Sequence, residues 1–487
     1  MSIMKDSMLL TISKFMKSFI QLIVTMILTR TMFQESYGTY KQLMLLFNIL
    51  FTIVPLGIPT TVSYYFKNLD KEKRNILFTS TILMSSFLGI IVFLGVNSAK
   101  YFISDIFNNK QLLSCLGITS LYIAISIVFS FIENIYVSSD KAILLSKLNI
   151  IYLIVYLIVV VLVAYFINSI EAIMYAITIL EVIKSFWLYF VIYKIDKYKY
   201  IIDFNFMKQQ FKYSIPLGIT AIVQTLNLYI DGIFISNMFS ASEYAIYATG
   251  ATQVPFVNII TVSLAAVALP QMSKFFNTDK NINAVIELWG KITIMAAIII
   301  FPIFWILIFF GKGYTIFIYS EDYLKSVPIF LVYLLKLPLS CTIFGNILVV
   351  INKRKYILYN MIIGATLNIA LNFILINRFG MIGAAISSVV IHIILIIMQM
   401  NKISKTTEIN IKKLLPYKIL SILFLIAGIM GLALKQVSIM IDLGNILNFF
   451  VYGCVIFISS ILLYIRFNFI PREYVFSVIK KLKIKGE

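Results

Sequence analysis

Residues 194–212 read KIDKYKYIIDFNFMKQQFK and form the longest polar break in an otherwise apolar chain. Five cations (Lys194, Lys197, Lys199, Lys208, Lys212) face two acids, Asp196 and Asp203. A soluble linker would be rich in Gly, Ser or Pro. This one mixes Lys with Tyr and Phe, the composition of a segment lying along an anionic membrane surface. Apolar runs number about six before it and about eight after it, taking roughly 20 apolar residues as one membrane span. The stretch reads as a cytoplasmic bridge between two helical lobes.

Composition supports that reading. Of 487 residues 61% are hydrophobic and 13% charged, with mean hydropathy +0.95. A soluble domain carries about 25% charged residues, so half the usual charge is missing and the chain is an all-α polytopic membrane protein. The net charge of +20 does not point to nucleic acid. Its cations sit in short breaks between apolar runs and form no basic domain. Cys115, Cys341 and Cys454 are far apart in apolar runs beside a single His, which excludes a disulfide framework or a metal centre. No cofactor is implied. The N-terminal MSIMKDSMLLTISKFMKS has no small-residue cleavage site after its first apolar run and reads as a retained first span.

The pattern predicts fourteen spans, with boundaries approximate. They are 11–33, 38–66, 75–97, 112–138, 143–167, 170–193, 211–238, 243–275, 284–310, 325–351, 355–377, 380–401, 414–436 and 443–468. This gives a first lobe at 1–193, the basic connector at 194–210, a second lobe at 211–401, and two further spans with a basic tail at 402–487. On that count 31 Lys and Arg fall on one side and 8 on the other, with Lys184 and Lys336 in mid-span. The positive-inside bias then places both termini in the cytoplasm. All outer loops are short, so the chain's work is done inside the bilayer.

Two pairs of segments repeat across the connector. MFQESYGTY at 32–40 returns as MFSASEYAIY at 238–247, and Ile167, Asn168, Ile173, Ala176 and Ile177 return as Ile376, Asn377, Ile382, Ala385 and Ile386. Offsets of 206 and 209 agree closely. Lobes of six spans each share one topology, and transporters built this way hold substrate where the halves meet.

Polar residues inside the spans are the candidate functional groups. The first span carries Thr11, Lys14, Ser18, Gln21, Thr25 and Thr29 on one helical face, with Lys17 beside it. The seventh carries Thr220, Gln224, Asn227 and Asp231, which coincide with 14, 18, 21 and 25 under the 206 offset. Two readings of each stripe stand: a cavity lining, or snorkelling anchors for the lysines and helix-to-helix hydrogen bonds for the amides. Lys184 and Lys336 lie deep in apolar runs, where a cation costs roughly 2.5–3.5 kcal/mol. Glu181, one turn before Lys184, is placed to neutralise it. Lys336 has no acid within two turns, and Glu133 is a candidate partner from another span. His392 is a proton site or a packed, hydrogen-bonded residue. Pro55, Pro59, Pro255, Pro270, Pro302, Pro328 and Pro338 are expected to interrupt helices. Summed, the deep cations (Lys14, Lys17, Lys184, Lys336, with Arg30 and Lys41 nearer the outer face) outnumber Glu133, Glu181 and Asp231, an arrangement suited to an anionic passenger.

Three segments carry a family resemblance. ILTRTMFQESYGTYKQ at 27–42, DGIFISNMFSASEYAIYATGATQ at 231–253 and INKRKYILYNMIIGATLNIALNFILINRFGMIGAAISSVV at 351–390 resemble Wzx-type O-antigen and capsular polysaccharide flippases. The resemblance implies the fold of the multidrug/oligosaccharidyl-lipid/polysaccharide (MOP) superfamily: two six-helix lobes in a V, with two additional C-terminal spans. It implies alternating access for a polyprenyl-(di)phosphate-linked oligosaccharide in the cytoplasmic membrane, with cavity cations at Lys14, Lys17 and Arg30 and Asp231 facing them. Membrane lipids, a coupling H+ or Na+, glycosyltransferases and a polysaccharide polymerase are the partners it suggests. The acid that multidrug members carry in the first span is absent, and lysines stand there instead. Three functions are weighed: such a flippase, including a lipid II or sporulation type; an ion-coupled multidrug exporter; and a membrane polymerase or ligase. The last requires a sizeable outer loop for its catalytic residues, and no nucleotide-binding G-x-x-x-x-G-K run is present.

Overall fold

The structure, a computed structural model, describes residues 2–254 and 257–469, with the side chains of 2–11, 14 and 258 excepted. Among the described residues it is all-helical, with no strand. The helices are α1 (Ser2–Thr31), α2 (Gln34–Ile53), α3 (Ile58–Tyr65), α4 (Lys71–Ser98), α5 (Lys100–Ile106), α6 (Leu112–Phe129), α7 (Ile132–Ser138), α8 (Ala142–Phe166), α9 (Ile170–Asp196) and α10 (Phe204–Met238). Then come α11 (Ala241–Gly250), α12 (Val257–Asn277), α13 (Ile282–Tyr319), α14 (Val327–Leu334), α15 (Phe344–Val350), α16 (Arg354–Phe379), α17 (Met381–Thr407), α18 (Ile411–Leu414), α19 (Tyr417–Met440) and α20 (Asn445–Arg466). They form two compact units, Met1–Ala248 with Ala365–Phe373, and Thr249–Gly364 with Ile374–Glu487.

The count of fourteen spans is not confirmed. Among the described residues eleven helices are long and apolar enough to cross a membrane, or up to thirteen if each bent pair is one span. The bends have a chemical cause. Gln34–Ile53 and Ile58–Asn68 meet at 46° around Pro55, and Glu321–Leu334 and Pro338–Val350 meet at 43° at Pro338. Proline removes a donor and clashes with the preceding turn, so each apolar run folds as two pieces. Pro59 stands at the start of the helix after the first bend and Pro328 at the start of the helix before the second, where a missing N–H costs nothing. Pro270 and Pro302 do not interrupt: the helix runs on through both, and the kink in α13 falls later, at Phe310. Pro255 lies outside the described residues.

In the first unit the connector is mostly helix. α9 runs to Asp196 and α10 begins at Phe204, capped by Asp203, whose carboxylate accepts from the Phe206 N–H at 3.0 Å. Between them, non-helical backbone lies across α4. The N–H groups of Lys199 and Ile201 donate to Asn75 Oδ1 and Thr79 Oγ1, both at 3.1 Å. The Tyr198 ring stacks on Phe78 at 4.3 Å, and Lys141 pairs with Asp196. Burial, reinforced by the Asp196 carboxylate, holds the Tyr198 hydroxyl above the ordinary phenol range.

α10 packs along α2, α3 and α4 through fully buried glutamines. At one end Gln42 Nε2 donates to Ser236 Oγ (2.8 Å) and to the Phe107 carbonyl (3.0 Å), while its Oε1 accepts from Asn109 Nδ2 (2.6 Å). Towards the other, Gln210 Nε2 donates to Thr61 (2.9 Å) and Thr81 (2.8 Å). Midway, the kink after Pro55 sits against Gly218, where an added Cβ would lie 2.7 Å from the Leu56 carbonyl. The two copies of the repeated segment also meet here: Ser242 Oγ donates to Gln34 Oε1 (2.7 Å), and a Cβ on Gly38 would collide with the Ala241 carbonyl.

In the second unit α19 and α20 pack on α13. Lipid gives helices no hydrophobic reason to associate, so small residues and hydrogen bonds carry the contact. Gly428 and Gly431 admit Trp305 and Phe309, and Trp305 Nε1 donates to the Phe424 carbonyl at 3.0 Å.

Replacing Gln42 by Leu removes its bonds to the Ser236 hydroxyl and the Phe107 carbonyl and leaves the Asn109 amide with Thr39 alone. At about 1–3 kcal/mol per buried group left without a partner, the variant should melt well below the parent in detergent. An unchanged melting temperature would show that the network is not holding α10 in place.

Candidate functional site

The polar stripe on α10 is sorted by depth. Gln224 is exposed, Thr220 and Asn227 are half-buried, and Asp231 is 5% exposed. Asp231 Oδ1 accepts from Asn372 Nδ2 at 2.8 Å, and the same amide donates to Asn368 Oδ1 at 2.7 Å. Asn368 and Asn372 lie four apart on α16 and share one face. Asn372 Oδ1 is buried with no hydrogen-bond partner among the described residues. The result is a carboxylate and two amides closed off from solvent, with an acceptor oxygen left over. Neither Asn was singled out from the sequence as a site residue, although their spacing of four in an apolar run was a readable signal.

The second cluster surrounds Lys184 on α9. Its ammonium lies 3.3 Å from Glu181 Oε1 and 3.9 Å from Glu133 Oε1, and 5.1 Å from the Tyr152 ring centre. Tyr152 donates to Glu181 Oε2 at 3.3 Å and Ser185 to Oε1 at 3.5 Å. Glu133, at the start of α7, is half exposed. The expectation that Glu133 partners Lys336 is thereby corrected: it faces Lys184, because α7 packs against α9 within the first unit. Lys184 is a balanced, hydrogen-bonded ion pair with a second acid nearby. No sequence signal marked Tyr152, which reaches the pair from α8.

Lys336 falls at the bend between α14 and the short turn at Pro338–Cys341, not in the middle of a straight helix. Its ammonium sits 4.5 Å from the Tyr333 ring centre. His392 on α17 lies within electrostatic range of Lys336, and its Nε2 is buried with no hydrogen-bond partner among the described residues. On α1, Lys17, Gln21 and Arg30 are exposed, and Arg30 Nη1 donates to the Met26 carbonyl at 2.8 Å. The Lys14 side chain lies outside the described residues. The structure thus joins Asp231 to α16 and Glu133 to Lys184, brings Lys336 near His392, and leaves Lys17, Gln21 and Gln224 on exposed faces. Among the described residues no group of three or more His, Cys, Asp or Glu is placed to hold a metal ion.

This is the architecture of MOP-superfamily transporters. The lipid II flippase MurJ in its inward closed conformation matches with TM-score 0.73 at 19% identity, over 94% of this chain and 99% of that one. An inward-facing multidrug resistance MATE transporter matches with TM-score 0.62 at 12% identity, over 80% and 96%. A MOP transporter from Pyrococcus furiosus Vc1, described as having a binding pocket of reverse polarity, matches with TM-score 0.55 at 12% identity, over 83% and 96%. An uncharacterized membrane protein of Methanocaldococcus jannaschii is 26% identical over 284 residues, 54% of this chain. That alignment spans 52%, about half, of the relative's length. The chain belongs to the polysaccharide biosynthesis protein family, whose profile matches residues 27–328.

Substituting Glu181 by Gln leaves Lys184 with the weaker, half-exposed Glu133 and should cost about 3 kcal/mol, as when a buried pair loses one member. Replacing both, Glu181→Leu with Lys184→Met, should recover most of that loss in a thermal melt. A double variant no more stable than the single one would rule out the ion-pair account.

Proposed function

We propose that the chain is a flippase that carries a polyprenyl-(di)phosphate-linked oligosaccharide across the cytoplasmic membrane for cell-surface polysaccharide synthesis. The observation that carries this reading is the family match over 27–328, a stretch that includes Arg30, Lys184 and Asp231. The fold supports it, since several MOP-type structures align over most of the chain. On this reading the repeat-related lobes, 1–193 and 211–401, alternate the side to which the path opens, with both termini in the cytoplasm.

The headgroup is a polar anion, and its tail stays in lipid. With Lys184 neutralised in place, the phosphate contacts fall to Lys14, Lys17, Arg30 and Lys336. Lys17 and Arg30 are exposed on α1, and Lys336 stands where a broken span frees backbone groups. Discontinuous helices are where transporters commonly bind charged cargo. Asp231 with Asn368 and Asn372 is the candidate for the coupling step, taking a proton or a sodium ion. The unpartnered Asn372 oxygen suits a cation. Glu133 and His392 are secondary candidates. Glycosyltransferases that load the carrier and a polymerase that consumes it would act on either side.

In a strain whose surface polysaccharide depends on this chain, Lys17→Ala, Arg30→Ala and Lys336→Ala should each cut surface polymer at least several-fold. Lipid-linked units should accumulate on the inner leaflet, with protein levels unchanged. Parental polymer in all three variants would defeat the cationic path. A drug-resistance phenotype on overexpression, with normal polysaccharide in the deletion strain, would point to a multidrug exporter instead.

A further inference from the structure

Where the two copies of the repeated segment meet, the first unit has a cavity of about 460 Å³, within the size range of small-molecule sites. It is lined by Glu35 from α2, Asn108, Asn109, Lys110 and Gln111 from the loop before α6, and Ser240, Ala241 and Ser242 from the start of α11. The charge distribution assigns this end of the spans to the outer face.

The floor is built in advance. Asn109 Nδ2 donates to Thr39 Oγ1 (2.8 Å) and Gln42 Oε1 (2.6 Å), and its Oδ1 accepts from the Gln111 N–H (2.9 Å). Gln111 Nε2 donates to Glu35 Oε1 at 3.0 Å, and its Oε1 accepts from Thr39 at 3.1 Å. These bonds fix the inner groups and leave the outer ones available. Among the described residues, Glu35 Oε2, the Asn108 amide and the Lys110 ammonium make no hydrogen bond, and all three residues are exposed. Asn108 is held at φ 44°, a left-handed conformation that Asn tolerates better than most side chains.

The mixture of groups narrows the ligand. A simple anion would meet Glu35, and a simple cation would meet Lys110. A wholly apolar molecule would make no use of the carboxylate, the amide or the ammonium. A sugar ring offers donors and acceptors together on adjacent hydroxyls, matching an acceptor-only carboxylate, a donor-only ammonium and an amide that does both. We propose that this cavity is a saccharide subsite that holds a sugar of the cargo's oligosaccharide on the outer face. The assignment rests on the flippase reading for its cargo, but binding of a free sugar can be measured without transport.

The test is saturation-transfer NMR of the full-length chain in lipid nanodiscs with D-glucose, D-galactose, N-acetyl-D-glucosamine and D-glucuronic acid. At least one sugar should give a signal that falls at least fivefold in Glu35→Gln and in Asn108→Gly, the latter preserving the left-handed backbone. The signal should persist in Lys312→Ala, which lies in the second unit. Both cavity substitutions are at exposed residues, and a thermal melt confirms that each variant is folded. No signal from any of the four sugars, or equal signals in folded parent and cavity variants, overturns the proposal. The two readings fail separately. Sugar bound through Glu35 in a chain whose deletion leaves surface polysaccharide intact sinks the flippase and spares the subsite. A chain required for polysaccharide whose cavity variants bind as the parent does sinks the subsite alone.

Discussion

A side-chain amide enclosed between helices in a membrane has no water to turn to, so its partners must come from the protein. Gln42 satisfies that demand with three elements at once: Ser236 on α10, the Phe107 carbonyl after α5, and Asn109 in the next loop. Lipid supplies no hydrophobic drive for helices to pack. Directional bonds of this kind, with close approach at Gly38 and Gly218, therefore decide which helix lies against which. The placement of α10 in the first compact unit follows from them.

The same demand explains what could and could not be read from the chain. Apolar runs, helix content and the i, i+3 spacing of Glu181 and Lys184 are local, and the structure keeps them. Prolines could be seen, but their effect depends on neighbours. Pro55 and Pro338 sit at bends, while helices continue through Pro270 and Pro302. The stretches predicted as single spans at 38–66 and 325–351 are accordingly bent pairs. Contacts across long separations carried no local mark. Glu133 reaches Lys184 over 51 residues of sequence because α7 turns it there, and Tyr152 arrives from a third helix. The connector's charge was conspicuous, but its anchoring to Asn75 and Thr79 is a matter of backbone donors that composition does not reveal.

Charge inside the membrane carries meaning only once its partners are known. By sequence both Lys184 and Lys336 are deep cations, and only Lys184 has an acid, Glu181, one turn away. In the structure they differ. Lys184 has a carboxylate held by three donors and a second acid within 4 Å, so its ion pair accounts for it without a ligand. Lys336 stands at a helix break, over the Tyr333 ring and within electrostatic range of His392. The Lys184 pair therefore adds no weight to an anion-binding argument.

Polarity is also distributed by depth. Asp231 and its asparagines are closed to solvent and offer oxygen atoms, which suits a small cation or a proton. The cavity at the repeat junction is open and offers donors and acceptors in equal measure, which suits a polyol. On the flippase reading proposed above the two kinds of chemistry must be kept apart, because a site that binds hydroxyls well would also hydrate a coupling ion. The closed carboxylate stands on α10, and the open cavity is built from the start of α11 and the segments facing it, so the two environments occupy different elements of one unit.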